Sequence, residues 1–348
     1  MNKTPIHVAM VMAGDEEGGL EKHVVDLAST LPDYGMRATV IAHPKYGPRL
    51  RKGVGFIPAP LHLGRHNPRV LWVLLSALRH LQPTLIHAQA HKATAMVHAI
   101  HRWLPPVPRV GTVHNLKQRH NMFTCCQAVI GVSQGVADYT GLPRIRVIYN
   151  GCREPAPPSL SELARLEQEL GFPSDRPLWL AIGRLVPAKA FDVLLDSWAR
   201  LSDAPNLMIA GDGPERPRLR RQLTELGLQE RVRLLGHRAD VPMLLAACEG
   251  IVISSHREGF PYAMTEALLA EKPVLATRIP GSSEVLPETC LTDSGDAEAL
   301  AAMLQSNLAD PTLRARFTPV WAWAREHLTL SGMTARYADL YRELAGTA

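Results

Sequence analysis

No stretch of about 18 uncharged apolar residues occurs in the 348, which argues against a transmembrane helix. Cysteine is scarce, at five, and no CxxC pair is present. Only Cys125 and Cys126 adjoin, and sequence neighbours rarely bridge without strain, so reduced thiols in a cytosolic compartment are expected. The opening MNKTPIHVAMVMAGDEEGG has one short apolar run cut off by three acids, which reads as a buried strand and not as a signal peptide. No Asp-x-Asp pair stands ready for a divalent ion, and no HExxH motif joins the histidines to a carboxylate. After the first strand the chain reads AGDEEGG and not GxGxxG, against a dinucleotide-binding dehydrogenase. The basic first half shows no aromatic platforms and no known module for nucleic acid. No internal repeat or low-complexity tract appears.

Hydrophobic residues, at 46%, suffice for two cores, and the length suits two α/β domains better than one. Apolar, β-branched runs alternate with helix-like segments: HVAMVM, ATVIAH, TLIHAQ, RVGTVH and AVIGVS, then, past a proline-rich CREPAPPS, LWLAIG, NLMIAG, VRLLG, GIVISS and PVLAT. That alternation predicts βαβ units and buried parallel sheets. The expected domains are 1–152 and 153–330, with 331–348 a terminal helix that packs back on the first. From Asp296 onward the chain reads as helical, with Trp321, Trp323, Tyr337 and Tyr341 spaced as one aromatic stripe for ordinary packing.

Charge is unevenly shared. Through Asn150 there are seventeen Lys and Arg against seven Asp and Glu, a formal +10, and the remainder carries −5. The first half is thus expected to meet an anionic partner. YGPRLRKGVGF (46–56) and the helix bearing Arg69, Leu71, Trp72, Leu74, Leu75 and Arg79 combine cations with apolar bulk, which suits an anionic membrane surface.

The chemistry is concentrated at strand ends in the second half. In GIVISSHREGFPYAMTEALLA a strand ends near Ser255, a loop carries Glu258, Gly259 and Phe260, and Pro261 opens a helix containing Glu266. Ligands of open parallel sheets sit beyond the strand carboxyl ends, where helix N–H groups favour phosphate. Carboxylates on either side of a bound diphosphate can each accept two hydroxyl hydrogen bonds. Arg184 and Lys189 follow another strand and would neutralise that diphosphate, Arg as a fork and Lys as a point charge.

In order, GRLVPAK (183–189), IAGDGP (209–214), LGH (235–237) and EGFPYAMTE (258–266) resemble the retaining glycosyltransferases of family 4, also called glycosyl transferases group 1, with two glutamates separated by seven residues. Softer matches are the Gly18-Gly19 turn, TVH (112–114) and VIYNG (147–151). The resemblance implies the GT-B fold, two Rossmann-like doubly wound parallel-sheet domains facing a central cleft. It implies that Arg184 and Lys189 hold the donor diphosphate, Glu266 the ribose hydroxyls, and Glu258 with Gly259 and Phe260 the donor sugar. It further implies that His114 touches that sugar, that Gly18 and Gly19 approach phosphates and acceptor, and that His237 and Arg238 lie near the base. The implied reaction needs no resident cofactor or metal. Its co-substrate is a nucleotide sugar, UDP- or GDP-linked, and its acceptor a glycan, lipid-linked or lipopolysaccharide-type molecule. Localisation is expected to be cytoplasmic, peripheral on the inner face of the membrane, with no nucleic-acid partner. Ala188 and Ala190 depart from the family, which usually has Glu and Gly around the lysine. An epimerase or phosphorylase of the same fold is the alternative chemistry, and a non-catalytic module of that fold is a further one.

Overall fold

The computed structural model describes residues 5–172 and 176–346, and the chain divides into two compact units, one of residues 1–151 with 330–348 and one of residues 152–329. In the first unit the strands are β1 (His7–Met12), β2 (Arg37–Ala42), β3 (Gly55–Pro58), β4 (Leu85–Gln89), β5 (Arg109–Val113), β6 (Ala128–Gly131) and β7 (Ile145–Val147). Its helices are α1 (Gly19–Thr30), α2 (Pro68–Leu81), α3 (Ala90–Ile100) and α4 (Gln134–Thr140). The strand order is β3-β2-β1-β4-β5-β6-β7, all parallel, so the chain winds one way from β1 and then returns to its other side at β4.

Alternation along β1 shows why the sheet is covered on both faces. Val8, Met10 and Met12 enter a core with Val24 and Leu27 of α1, whereas Ala9 and Val11 enter a second core with Leu74 of α2 and Met96 of α3. A strand buried on both sides needs apolar residues of both parities, which explains the unbroken HVAMVM run. Helix ends follow local chemistry. Asn67 caps α2 by accepting from the Arg69 N–H, with Pro68 in the first turn, and Ser133 caps α4 through the Val136 N–H.

The second unit contains α5 (Leu160–Leu170), β8 (Leu178–Ile182), α6 (Phe191–Ala199), β9 (Asn206–Ala210), α7 (Arg216–Glu225), β10 (Val232–Gly236), α8 (Val241–Ala247) and β11 (Gly250–Ile253). It continues with α9 (Tyr262–Leu269), β12 (Val274–Thr277), α10 (Pro280–Val285), β13 (Leu291–Thr292), α11 (Ala297–Leu308) and α12 (Leu313–His327). The parallel order β10-β9-β8-β11-β12-β13 repeats the doubly wound plan, with its reversal between β8 and β11. The last helix, α13 (Leu330–Leu344), belongs to the first unit, where Met333, Tyr337 and Tyr341 are fully buried.

Two expectations change here. The four aromatics do not form one stripe: Trp321 and Trp323 lie on α12 of the second unit, and Tyr337 and Tyr341 on α13 of the first. The 46–56 segment is not a free basic surface either. Tyr46 is buried, Arg49 pairs with Glu17 at 2.6 Å, Arg51 pairs with Asp33 at 2.6 Å, and residues from Gly55 form β3 against β2. On α2, Leu74 faces the core and Trp72 stays 68% exposed. Among the described residues no helix is long and apolar enough to cross a membrane.

Two glycines bring the loops after β8 and β9 together. A Cβ on Gly213 would lie 2.4 Å from the Leu185 carbonyl oxygen, and one on Gly211, at φ +150°, only 1.8 Å from that of Gly183. The crossing is stitched by Leu185 N–H to Asp212 O and Glu215 N–H to Leu185 O. Backbone obstructs the space, so Gly213→Ala should destabilise the second unit by about 3 kcal/mol, in the range of severe steric changes. Thermal melting checks this; an unchanged midpoint would exclude the close approach.

Candidate active site

In the second unit the predicted residues gather at the carboxyl end of the sheet, around the reversal between β8 and β11. Lys189 arrives from the β8 side and Glu258 from the β11 side, and they meet in an ion pair with Nζ 2.6 Å from Oε2. Their side chains are 21% and 16% exposed, so the pair is sheltered yet open to a ligand. The other oxygen of Glu258 accepts a 2.7 Å hydrogen bond from the Ser255 hydroxyl. Both carboxylate oxygens are therefore held, which fixes the group in position.

The loop that presents Lys189 is anchored to the neighbouring strand end. His256 N–H donates to the Ala188 carbonyl at 2.9 Å, and the Ser254 hydroxyl donates to the Lys189 carbonyl at 2.9 Å. Gly183 leaves room for the lysine arm, since a Cβ there would stand 3.1 Å from Lys189 Cε. Ala190 follows at φ +50° and ψ 42°, a left-handed conformation that costs a non-glycine residue about 1–2 kcal/mol. This is the position where the resembling family usually has glycine. The departure leaves the turn in place: Ala190 is fully buried and its N–H is bonded to the Pro187 carbonyl.

Glu266 sits on α9, half-buried, and Arg184 is exposed just after β8. Pro261, expected at the first helical position, is instead the residue capping α9, with φ −65° and ψ 128°. The N–H groups of the next turn then lack partners within the helix. Gly259 and Phe260 are buried; the Gly259 carbonyl accepts from the Gly281 N–H, and the Phe260 ring fills space that a Cβ on Gly281 would enter.

His237 is exposed beyond β10, two strands from β8. Arg238 is committed to protein carboxylates: it makes two bonds to Asp240, at 2.7 and 2.6 Å, and pairs with Glu169. These partners push its guanidinium pKa up and hold the Asp240 carboxyl down. Arg238 thus braces the loop after β10, and its charge is already balanced there. Arg216 lies nearer that strand end, with a guanidinium nitrogen 2.7 Å from where a Cβ on Gly236 would stand.

Gly18, Gly19 and His114 belong to the first unit. Gly18 caps α1 in a fully extended conformation, and Gly19 opens the helix. The buried Glu21 carboxylate lies beside them, 3.4 Å from where a Cβ on Gly18 would be. The α1 N-terminus thus already faces an acid from its own first turn, the preferred place for one. The loop before it is tied down by Lys45 to the Asp15 carbonyl and Tyr46 to the Glu16 carbonyl. His114, half-buried just past β5, bonds through Nε2 to Gln89 Oε1 at 2.8 Å. Burial, reinforced by His23, His87 and His91, holds its pKa well below the usual imidazole range.

Sequence reasoning missed Ser255, Glu21, Gln89 and the carboxylates around Arg238. Gln89 left a readable signal, because His87 and Gln89 put two polar side chains on one face of a strand whose other residues are apolar.

Residues 164–319 match the family described as Glycosyl transferases group 1, and residues 17–153 match Glycosyltransferase Family 4. The lipopolysaccharide core biosynthesis glycosyltransferase LpsE of Rhizobium meliloti is 28% identical over 344 residues, covering 94% of this chain and 96% of its own. LpsD of the same organism is 28% identical over 337 residues, covering 93% and 95%. Among solved structures, Anabaena HepE in complex with UDP-glucose superposes with a TM-score of 0.83 at 23% identity, covering 97% of this chain and 100% of that one. WaaG, a glycosyltransferase involved in lipopolysaccharide biosynthesis, superposes at 0.73 and 16% identity, covering 96% and 99%. These likenesses run nearly end to end and agree with two doubly wound parallel-sheet units. The chain belongs to the family 4 glycosyltransferases, the group 1 glycosyl transferases, and has the GT-B fold.

Proposed function

We propose that this enzyme transfers a sugar, with retention of anomeric configuration, from a UDP- or GDP-linked donor to a glycan, lipid-linked or lipopolysaccharide-type acceptor. The observation that carries this reading is the Lys189–Glu258 pair at the reversal of the second sheet. A bound diphosphate takes Lys189 as its counter-ion, with Arg184 as the second cation. Glu266 accepts from the ribose hydroxyls, and Glu258, once it shares its lysine, accepts from the donor sugar. As the glycosidic bond breaks, negative charge grows on the leaving diphosphate, and fixed cations with the α9 N-terminus stabilise it there without a metal.

Retention by a covalent enzyme intermediate suits this site poorly. Glu258 is the carboxylate best placed for it, and both of its oxygens are engaged by Lys189 and Ser255. Attack from the face that the nucleotide leaves gives the same stereochemistry without a protein nucleophile. The acceptor class is suggested by LpsE and LpsD, whose names place them in lipopolysaccharide core biosynthesis, and the UDP donor by the HepE complex. Incubating purified enzyme with UDP- and GDP-sugars, with and without a lipopolysaccharide-core acceptor and with EDTA throughout, tests the reading. Acceptor-dependent release of nucleotide and an unchanged anomeric configuration are expected; an epimerised donor, an inverted product or a strict metal requirement would contradict it.

The enzyme acts in the cytoplasm at the inner membrane face in this proposal, through exposed aromatics beside cations. Trp72 and Trp103 are 68% and 58% exposed, and Arg79 bonds to the Trp103 carbonyl at 2.9 Å, joining the two. Trp72→Ala with Arg79→Ala should reduce cosedimentation with phosphatidylglycerol vesicles at least fivefold, about 1 kcal/mol for a lost surface cation plus indole burial. Unchanged cosedimentation would remove the membrane surface from the proposal.

A further inference from the structure

Beneath His114 the first unit holds a polar cluster that the proposed chemistry does not use. His87 is fully buried, and both its ring nitrogens are taken: Nδ1 lies 2.6 Å from the Tyr341 hydroxyl and Nε2 2.7 Å from that of Thr112. The Tyr337 hydroxyl stands 3.4 Å from Thr112 and 3.3 Å from His23 Nε2. The His23 ring meets His114 edge-on at 4.8 Å. The Tyr341 hydroxyl of α13 and the Thr112 hydroxyl of β5 thus immobilise His87, and the amide nitrogen of Gln89 rests on that ring, 3.2 and 3.3 Å from its two nitrogens. An N–H suits that electron-rich ring, and a carbonyl oxygen would not. With its nitrogen there, the amide turns its oxygen to His114 Nε2.

An amide oxygen only accepts, so Nε2 of His114 carries the proton. Its neutral ring then has a lone pair on Nδ1, and that atom makes no hydrogen bond among the described residues. We propose that Gln89 is a positioning residue that fixes His114 as the Nε2–H tautomer, so that Nδ1 accepts a hydrogen bond from a hydroxyl of the bound sugar. This rests on the proposed transfer reaction and on His114 touching the donor sugar, as the family resemblance implies. The chemistry selects a sugar with a hydroxyl at the contacted carbon; a hydrogen or fluorine there has no proton to donate.

Long-range proton–nitrogen correlation spectra of protein carrying nitrogen-15 histidine read the tautomer directly, with the His114 signals identified by their loss in His114→Asn. The wild-type spectrum should show His114 with a pyrrole-type Nε2 and a pyridine-type Nδ1. Gln89→Leu should mix the tautomers and lower kcat about tenfold, one hydrogen bond's worth, with the donor KM within about twofold. A wild-type His114 protonated on Nδ1 overturns the assignment, and needs no variant to fold. A Gln89→Leu spectrum and kcat like wild type overturn it equally. Wild-type turnover in His114→Ala defeats the sugar contact itself, and with it the role assigned to Nδ1, even where the spectrum shows the expected tautomer.

Discussion

Replacing Glu266 with alanine should weaken donor binding about 100-fold. A carboxylate that accepts from both ribose hydroxyls loses two charge-assisted hydrogen bonds, each about 1.5–3 kcal/mol. The lower end of that range sums to roughly 3 kcal/mol, two decades in Kd. Glu266 lies half-buried on α9, where alanine is the better helix former, so the fold has little reason to suffer. The effect should fall on binding and not on melting temperature. Titration calorimetry with the donor that turns over separates the two, and Glu266→Gln, a weaker acceptor, should lie between. A Kd within twofold of wild type would remove Glu266 from the donor site.

Lys189→Ala should lower kcat about 10²–10³-fold, the loss typical when a group aimed at developing negative charge is removed. Two effects combine. The leaving diphosphate loses a cation, and Glu258 is left with one oxygen still bonded to Ser255 and the other facing the phosphates unpaired. A second substitution, Glu258→Gln, removes that repulsion. Because the two side chains are in contact, the double variant should be less impaired than the product of the single effects, since contacting residues couple by about 0.5–3 kcal/mol. Lys189→Arg should recover part of the rate but not all, because Gly183 shapes the passage for an unbranched arm. Wild-type turnover in Lys189→Ala would refute the site.

The sequence revealed those parts of the fold that repeat a strong local signal. Strands such as HVAMVM and GIVI are apolar on both faces. β3 was hidden because its four residues begin with glycine and end with proline, and it exists only through its register with β2, where Gly55 fits against Thr39. The short helices α4 and α10, at seven and six residues, have too few turns to show a periodicity. Ion pairing was illegible for a different reason. Arg49 with Glu17 and Arg238 with Glu169 join residues 32 and 69 positions apart, so the folded chain balances charges that stand far apart in the sequence. Lys189 and Glu258 are likewise 69 apart, and what brought them together on paper was their common position at strand ends beside a topological reversal. The hydroxyls of Tyr337 and Tyr341 were unreadable, because an aromatic spacing predicts packing and says nothing of which polar groups the ring edges reach.

The proposed transfer reaction requires cations in the second unit to grip a pyrophosphate. Thermal stabilisation by nucleotides in the presence of EDTA tests that most directly, since a ligand that binds only the folded protein raises its melting temperature. UDP or GDP should raise the midpoint while the matching monophosphate does little, and Lys189→Ala should erase the difference between them. Equal stabilisation by mono- and diphosphates, or a diphosphate effect that vanishes with EDTA, would contradict it.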